Sequence, residues 1–261
     1  MKKLVLLFSL IFLISCSNVP LTQRNQLMLI NESDIIVSSK AQYQDILKEN
    51  KPLKEKNSEL IEKVGGKISN AVELYFKEKG QEDLLLGYEW EFTLLESEDI
   101  NAWCMPGGKV AFYTGMLPIA KDEAGIAVVM GHEIAHAVAR HSSERLSQQM
   151  LIQKGAEILN LSLSDETASI SKDLALQAYG IGTTLGVLSY SRKHELEADR
   201  LGLIFMAMAG YNPEKVVEFW ERMSELSSGE ENEFLSTHPS NEHRIEDIKK
   251  YLPEAMTYYK K

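Results

Sequence analysis

Cysteine is nearly missing from this chain: 261 residues contain two, Cys16 and Cys104. A disulfide-stapled mini-domain is excluded, and the length is ample for a core that needs no staples. Long apolar runs are missing too. The run Leu4–Ile14 is too short to span a bilayer as a stable anchor, and the apolar stretch from Leu174 to Tyr190 is interrupted by Gly180, Gly182 and Gly186, so it reads as a buried helix. Basic residues are outnumbered, 28 Lys and Arg against 38 Asp and Glu, for a formal net charge of -10. An acidic body of that kind disfavours nucleic acid as a partner. No internal repeat or low-complexity tract is present, which removes solenoids and arrays.

The amino terminus has the form of an export signal. Lys2 and Lys3 supply the positive end, and the apolar run closes in Leu13-Ile14-Ser15-Cys16. That ending resembles a bacterial lipobox, in which the cysteine receives lipid and becomes the mature amino terminus. The expected division is a lipoprotein signal peptide over 1–15, a lipid-anchored tether over 16–31 and the main domain over 32–261. Ser17 rather than Asp after Cys16 points, by resemblance to enterobacterial sorting rules, to the outer membrane. Lipidation of Cys16 leaves Cys104 alone between Trp103 and Met105, the setting of a packed small hydrophobe.

Chemistry concentrates at His132-Glu133-Ile134-Ala135-His136. On a helix, residues four apart sit about 40° from each other, so His132 and His136 can share one metal ion. Glu133 points to one side, where it reaches a metal-bound water as a base without displacing a ligand. The flanks, Glu123 to Gly131 and Ala137 to Ala139, are small and apolar. A charged group inside such a helix is costly unless a metal compensates it.

Around this helix the chain reads as mainly helical with one small sheet. Helical spacing marks Ser33 to Asn50 and Ser58 to Lys79, the second weakened by Gly65-Gly66 or closely packed there. Alternation over Tyr88 to Leu95 and Lys109 to Thr114 predicts strands, with Asn101-Ala102-Trp103-Cys104 extended between them and Pro106-Gly107 set for a type II turn. Asn101 to Cys104 is the candidate edge strand that would hold an extended substrate, against a purely structural hairpin. The metal helix is expected to start at Asp122 or Glu123 and run past Arg140 towards Gln153. A surface loop or flap is expected over 158–172, then the buried helix over 174–190 covering the active site. A helix over 191–209 follows, another opens at Asn212-Pro213 with Val216, Val217, Phe219, Trp220 and Met223 inward, and a last one covers Arg244 to Lys249.

Catalytic zinc takes three protein ligands and keeps one position open for water. The three-histidine pattern fails, because Ala139 and Ser142 stand where it needs Gly and His, and His141 would lie about 180° round the helix from His132. A carboxylate on a second helix is the other common solution. Glu195-Leu196-Glu197-Ala198-Asp199 offers Glu195 and Asp199 on one face, with Glu197 as a competitor and plain exposed acids as the bland reading.

The pairing of H-E-x-x-H with Glu195…Asp199 in Ser191-Arg192-Lys193-His194-Glu195-Leu196-Glu197-Ala198-Asp199-Arg200-Leu201-Gly202 resembles the zinc metallopeptidase family of the CAAX prenyl protease and the heat-shock protease HtpX. The likeness takes in Thr22 to Leu27, Asn101-Ala102-Trp103, Pro106-Gly107-Gly108, Ala209 to Pro213, Ser236-Thr237-His238-Pro239 and Arg244-Ile245. It leans to the bacterial periplasmic and outer-membrane lipoprotein branch, related to the mitochondrial inner-membrane quality-control metalloprotease. Two departures stand out: Gln23 where many relatives carry Gly, and Cys104 where Ala is usual. The resemblance implies an α+β, mainly helical gluzincin domain with a small sheet beside the active site. It makes Glu195 the third ligand of one Zn2+, Asp199 the support of a ligand histidine, and His238 a group that approaches the metal as a fourth ligand. Arg244 pairs with an active-site carboxylate or with substrate. The expected function is a zinc endopeptidase of the bacterial cell envelope, acting on misfolded or unassembled envelope proteins and anchored in the membrane through Cys16. The alternative is a zinc-containing chaperone or assembly factor with silenced proteolysis.

Overall fold

Glu32–Glu49 and Lys56–Glu78 form the first two helices, α1 and α2, of a computed structural model that describes residues 16–19, 22–162, 192–226, 234, 238 and 243–260. The chain divides into two compact units, Met1–Asn31 with His141–His194, and Glu32–Arg140 with Glu195–Lys261.

In the larger unit, α2 buries the stripe Ile61, Val64, Ile68, Val72 and Tyr75 that its spacing predicts. Gly65 is there for contact, since a Cβ at that position would lie 2.2 Å from the Phe92 ring, while Gly66 faces open space. The sheet has the order β3-β5-β4, where β3 is Glu91–Leu95, β4 Ala102–Met105 and β5 Lys109–Tyr113. β4 and β5 make the expected hairpin: Gly108 donates its N–H to Met105 O at 3.1 Å, and Gly107 sits at φ 89°, the conformation a type II turn demands at its second central residue. β3 pairs with β5 in parallel instead of continuing the meander, which leaves β4 at the sheet edge.

The metal helix, α3, spans Glu123–Val138 and is buried nearly all round. Asp122 caps it, its carboxylate accepting the Gly125 N–H at 2.9 Å. It does not run past Arg140 as expected. The Ala139 and Arg140 amides bond back to Ala135 O and Ala137 O, Arg140 turns left-handed at φ 59°, and a separate helix, α4, begins at His141 and continues to Ser162. No Gly or Pro marks this break, so the usual stop signal is missing.

A helix over 192–208, α5, ends before Gly210 at φ 85°. α6, Lys215–Leu226, starts after a tight turn in which Asn212 Oδ1 accepts the Glu214 N–H at 3.1 Å, and it buries Val216, Phe219, Trp220 and Met223. α7 covers Arg244–Met256.

In the smaller unit, β1 (Cys16–Asn18) pairs antiparallel with β2 (Asn25–Leu27), so part of the expected tether is ordered strand. Gln23 closes the loop between them at φ 56°, the left-handed region that favours glycine. Leu29 donates its amide to Ser147 Oγ on α4 at 3.0 Å. Helix α4 includes 158–162, where a loop was expected, and the rest of that segment, the predicted 174–190 helix and the 1–15 signal lie outside the described residues. Among the described residues no helix is long and apolar enough to cross a membrane.

Candidate metal centre

Two glycines set the site. α3 and α5 cross where Gly131 meets Gly202, with backbones so close that a Cβ on Gly202 would stand 2.8 Å from His132 N and from Gly131 C. His132 follows Gly131 directly, and Glu195 and Asp199 lie two turns and one turn before Gly202 on α5. The crossing therefore presents the acids of one helix to the imidazoles of the other. These glycines were not legible as site residues, because no local pattern distinguishes close helix approach from helix weakening.

His132, His136, Glu195 and His238 converge with their ligand atoms all within 4.8 Å of one another. His132 Nε2 lies 3.0 Å from His136 Nε2, 3.4 Å from Glu195 Oε2 and 3.2 Å from His238 Nδ1. His136 Nε2 is 3.4 Å from Glu195 Oε1, and His238 Nδ1 is 3.2 Å from Glu195 Oε2. Nitrogen and oxygen ligands about 2.0–2.1 Å from a tetrahedral zinc stand roughly 3.3 Å apart, so these separations suit one such ion. Hydrogen bonding alone is a poor account of the group, because two facing ring nitrogens share at most one proton.

Around these four stand supporting groups. Asp199 Oδ1 lies 3.0 Å from His132 Nδ1, within ion-pair distance though out of line for a hydrogen bond. Arg244 grips Asp199 with two bonds, Nε to Oδ2 at 3.0 Å and Nη2 to Oδ1 at 2.9 Å. Its Nη2 is also 3.3 Å from Glu195 Oε2, and its Nη1 donates to the His238 carbonyl at 3.4 Å. Burial disfavours charge on Asp199 and Glu195, but Arg244 and His132 for the first, and His136, His132 and His238 for the second, outweigh it and hold both carboxyls below their usual range. Burial likewise opposes an imidazolium at His132, yet Asp199 and Glu195 raise its pKa to about 9.

Glu133 is different. Its carboxyl is buried and pushed up by burial despite His238 and His132 nearby. Glu133 Oε1 accepts no hydrogen bond among the described residues and faces His238 Nε2 at 3.4 Å. A buried acceptor left open beside a ligand cluster is what a base awaiting a water proton requires.

The sheet edge meets this helix, with β4 packed on α3. Asn101 sits one residue before the strand, buried, with Oδ1 accepting the Ala102 amide at 2.8 Å. Ala102 is buried, and Trp103 and Cys104 are half-buried. Trp103 Nε1 donates to Tyr113 OH at 3.3 Å, and the Cys104 thiol is pushed up by burial and then by the Glu133 charge. His141 does not join the cluster; it is buried and stacks on His194 with ring centroids 4.3 Å apart. Trp220 was legible only as a core residue and Phe234 not at all. The Arg244 guanidinium lies 3.7 Å above the Trp220 ring, and Phe234 stacks on His238 at 4.6 Å.

The signature described as Peptidase family M48 matches residues 66–252, which include this cluster. The mitochondrial metalloendopeptidase OMA1 of Schizosaccharomyces pombe is 36% identical over 192 residues, covering 72% of this chain and 53% of the relative. The human mitochondrial metalloendopeptidase OMA1 is 29% identical over 262 residues, 96% of this chain and 48% of that one. The beta-barrel assembly-enhancing protease of Escherichia coli is 28% identical over 170 residues, 61% of this chain and 34% of the relative. The chain thus spans about half the length, or less, of these curated relatives.

Proposed function

The chain belongs to peptidase family M48, and from that membership we propose that it is a zinc endopeptidase that cleaves peptide bonds by water activated at His132, His136 and Glu195. The observation that carries the reading is the tetrahedral spacing of the ligand atoms beside the open, buried Glu133 Oε1. A zinc ion held there supplies Lewis acidity, lowering the pKa of a bound water and polarising the scissile carbonyl. Glu133 accepts the proton of the attacking water and returns it to the leaving amine, a task suited to a carboxyl whose pKa burial has raised. Asp199 orients His132, and Arg244 keeps Asp199 charged while its Nη2 reaches Glu195. The substrate runs along the β4 edge at Asn101 to Cys104, adding a strand by main-chain hydrogen bonds.

Substrates are misfolded or unassembled envelope proteins, and Cys16 carries the lipid that anchors the chain on the periplasmic side of the outer membrane. This rests on the lipobox-like ending at Cys16 and on relatives named for enhancing beta-barrel assembly. His238 supports a second reading, an assembly factor whose proteolysis is silenced, because its Nδ1 takes the fourth corner of the cluster, where water would bind.

Replacing Glu133 with Gln tests the proposal. Zinc content should stay at one per chain while cleavage of an unfolded protein falls by about a hundred- to ten-thousand-fold. Persistent cleavage would remove Glu133 as the base. A wild-type chain that cleaves nothing yet restores envelope assembly would favour the assembly factor.

A further inference from the structure

We infer that Trp220 is a positioning residue for the metal centre, acting through Arg244, an assignment that rests on the metal-site reading above. A guanidinium is planar and offers its N–H groups only at its edges. At Arg244 all three nitrogens are engaged: Nε and Nη2 hold Asp199, Nη2 also reaches Glu195, and Nη1 meets the His238 carbonyl. Serving all three at once fixes the plane of the group, and the plane is set by what lies against its face. That is the Trp220 ring, 3.7 Å from the guanidinium carbon, with both side chains buried. Indole has the strongest cation-binding face of the aromatic side chains, and desolvation strengthens the contact.

Two further observations point the same way. Trp220 Nε1 is buried and has no hydrogen-bond partner among the described residues, so the indole is held at a cost in stability that Phe would avoid. The Trp220 ring also stands edge-on to His132, centroids 6.5 Å apart, and lines with His132, Asp199 and Phe234 a small apolar cavity. A packing role alone calls for an apolar side chain of this volume; a role through Arg244 calls for a ring face.

The consequence is a chain of three links: Trp220 sets the Arg244 plane, Arg244 sets the Asp199 and Glu195 carboxylates, and these set the His132 ring and the third ligand atom. Loss of groups that orient metal ligands typically weakens metal binding by about 10- to 100-fold.

The test measures zinc affinity by competition with a chromogenic chelator, together with thermal melting and circular dichroism of each variant. Trp220→Leu is expected to bind zinc at least tenfold more weakly than wild type, and Trp220→Phe, which keeps a face, to stay within about threefold. In a double-mutant cycle, Trp220→Leu should add almost nothing in an Arg244→Lys background, because an ammonium has no plane to hold. Additive losses, or equal losses for Leu and Phe, would overturn the inference in favour of packing. Should Trp220→Leu fail to fold, Trp220→Met, apolar and adaptable in shape but without a ring face, carries the same cycle with and without Arg244→Lys, and additivity there overturns it equally. A wild-type chain that binds no zinc defeats the metal centre itself, whereas tight zinc in wild type and Trp220→Leu alike defeats only the role of Trp220.

Discussion

Glu195 and Glu197 are both buried, at 5% and 6% exposure, so burial does not choose between them as the third ligand. Geometry does. Glu195 puts one oxygen 3.4 Å from His132 Nε2 and the other 3.4 Å from His136 Nε2, and Glu197 is not part of the converging group. Glu195→Ala is therefore expected to lose bound zinc, by elemental analysis of purified protein, while Glu197→Ala retains about one per chain even if it melts lower; the reverse result would displace Glu195. At this scale the sequence was partly readable. His132, Glu133 and His136 announce themselves because helical geometry converts a spacing of four into a shared face. Glu195 became distinct from Glu197 only through family resemblance. Trp220 read only as an inward core residue and Phe234 carried no signal, since nothing in helical spacing tells a packed ring from one laid against Arg244 or His238.

Between elements, the site depends on how closely α3 and α5 approach. Gly202→Ala places a Cβ 2.8 Å from the backbone of α3, and backbone atoms have no rotamer with which to yield, so the helices must separate. The expected destabilisation is on the order of 1–3 kcal/mol. That corresponds to a melting point lower by several degrees, with zinc affinity falling as well, because His132 follows the contact and Glu195 and Asp199 precede it. Unchanged melting and zinc titration in this variant would mean that the crossing is looser than the glycines imply. The hairpin β4–β5 was legible from Pro106-Gly107, since turn chemistry is local. The parallel pairing of β3 with β5 and the helix break at Arg140 were not. The first is a long-range choice of neighbour, and the second uses a non-glycine residue at φ 59°, held where propensity alone would continue the helix.

For the molecule as a whole, the class, α+β and mostly helical, followed from periodicity. The division into two units did not, because it rests on pairs such as Arg24 and Glu144, 120 residues apart. The smaller unit is built on that pair. The Glu144 side chain is 1% exposed, takes Arg24 Nη1 and Nη2 at 3.0 and 2.8 Å, and meets His194 Nε2 at 2.9 Å. Burial would raise its pKa, but His194 and Arg24 prevail and lower it. A carboxyl with a depressed folded-state pKa adds stability above its unfolded value, about 4.3, and that share disappears as pH falls through the lower folded value. Glu144→Gln has no such titration. It should cost about 3 kcal/mol near neutral pH, where Arg24 and His194 lose their charged partner. The difference from wild type should then shrink steadily below about pH 4 as the native carboxyl itself becomes neutral. Urea unfolding of both proteins across this range measures it. A gap that stays constant down to acid pH would assign the loss to packing or geometry, and Glu144 would then contribute through its shape and not its charge.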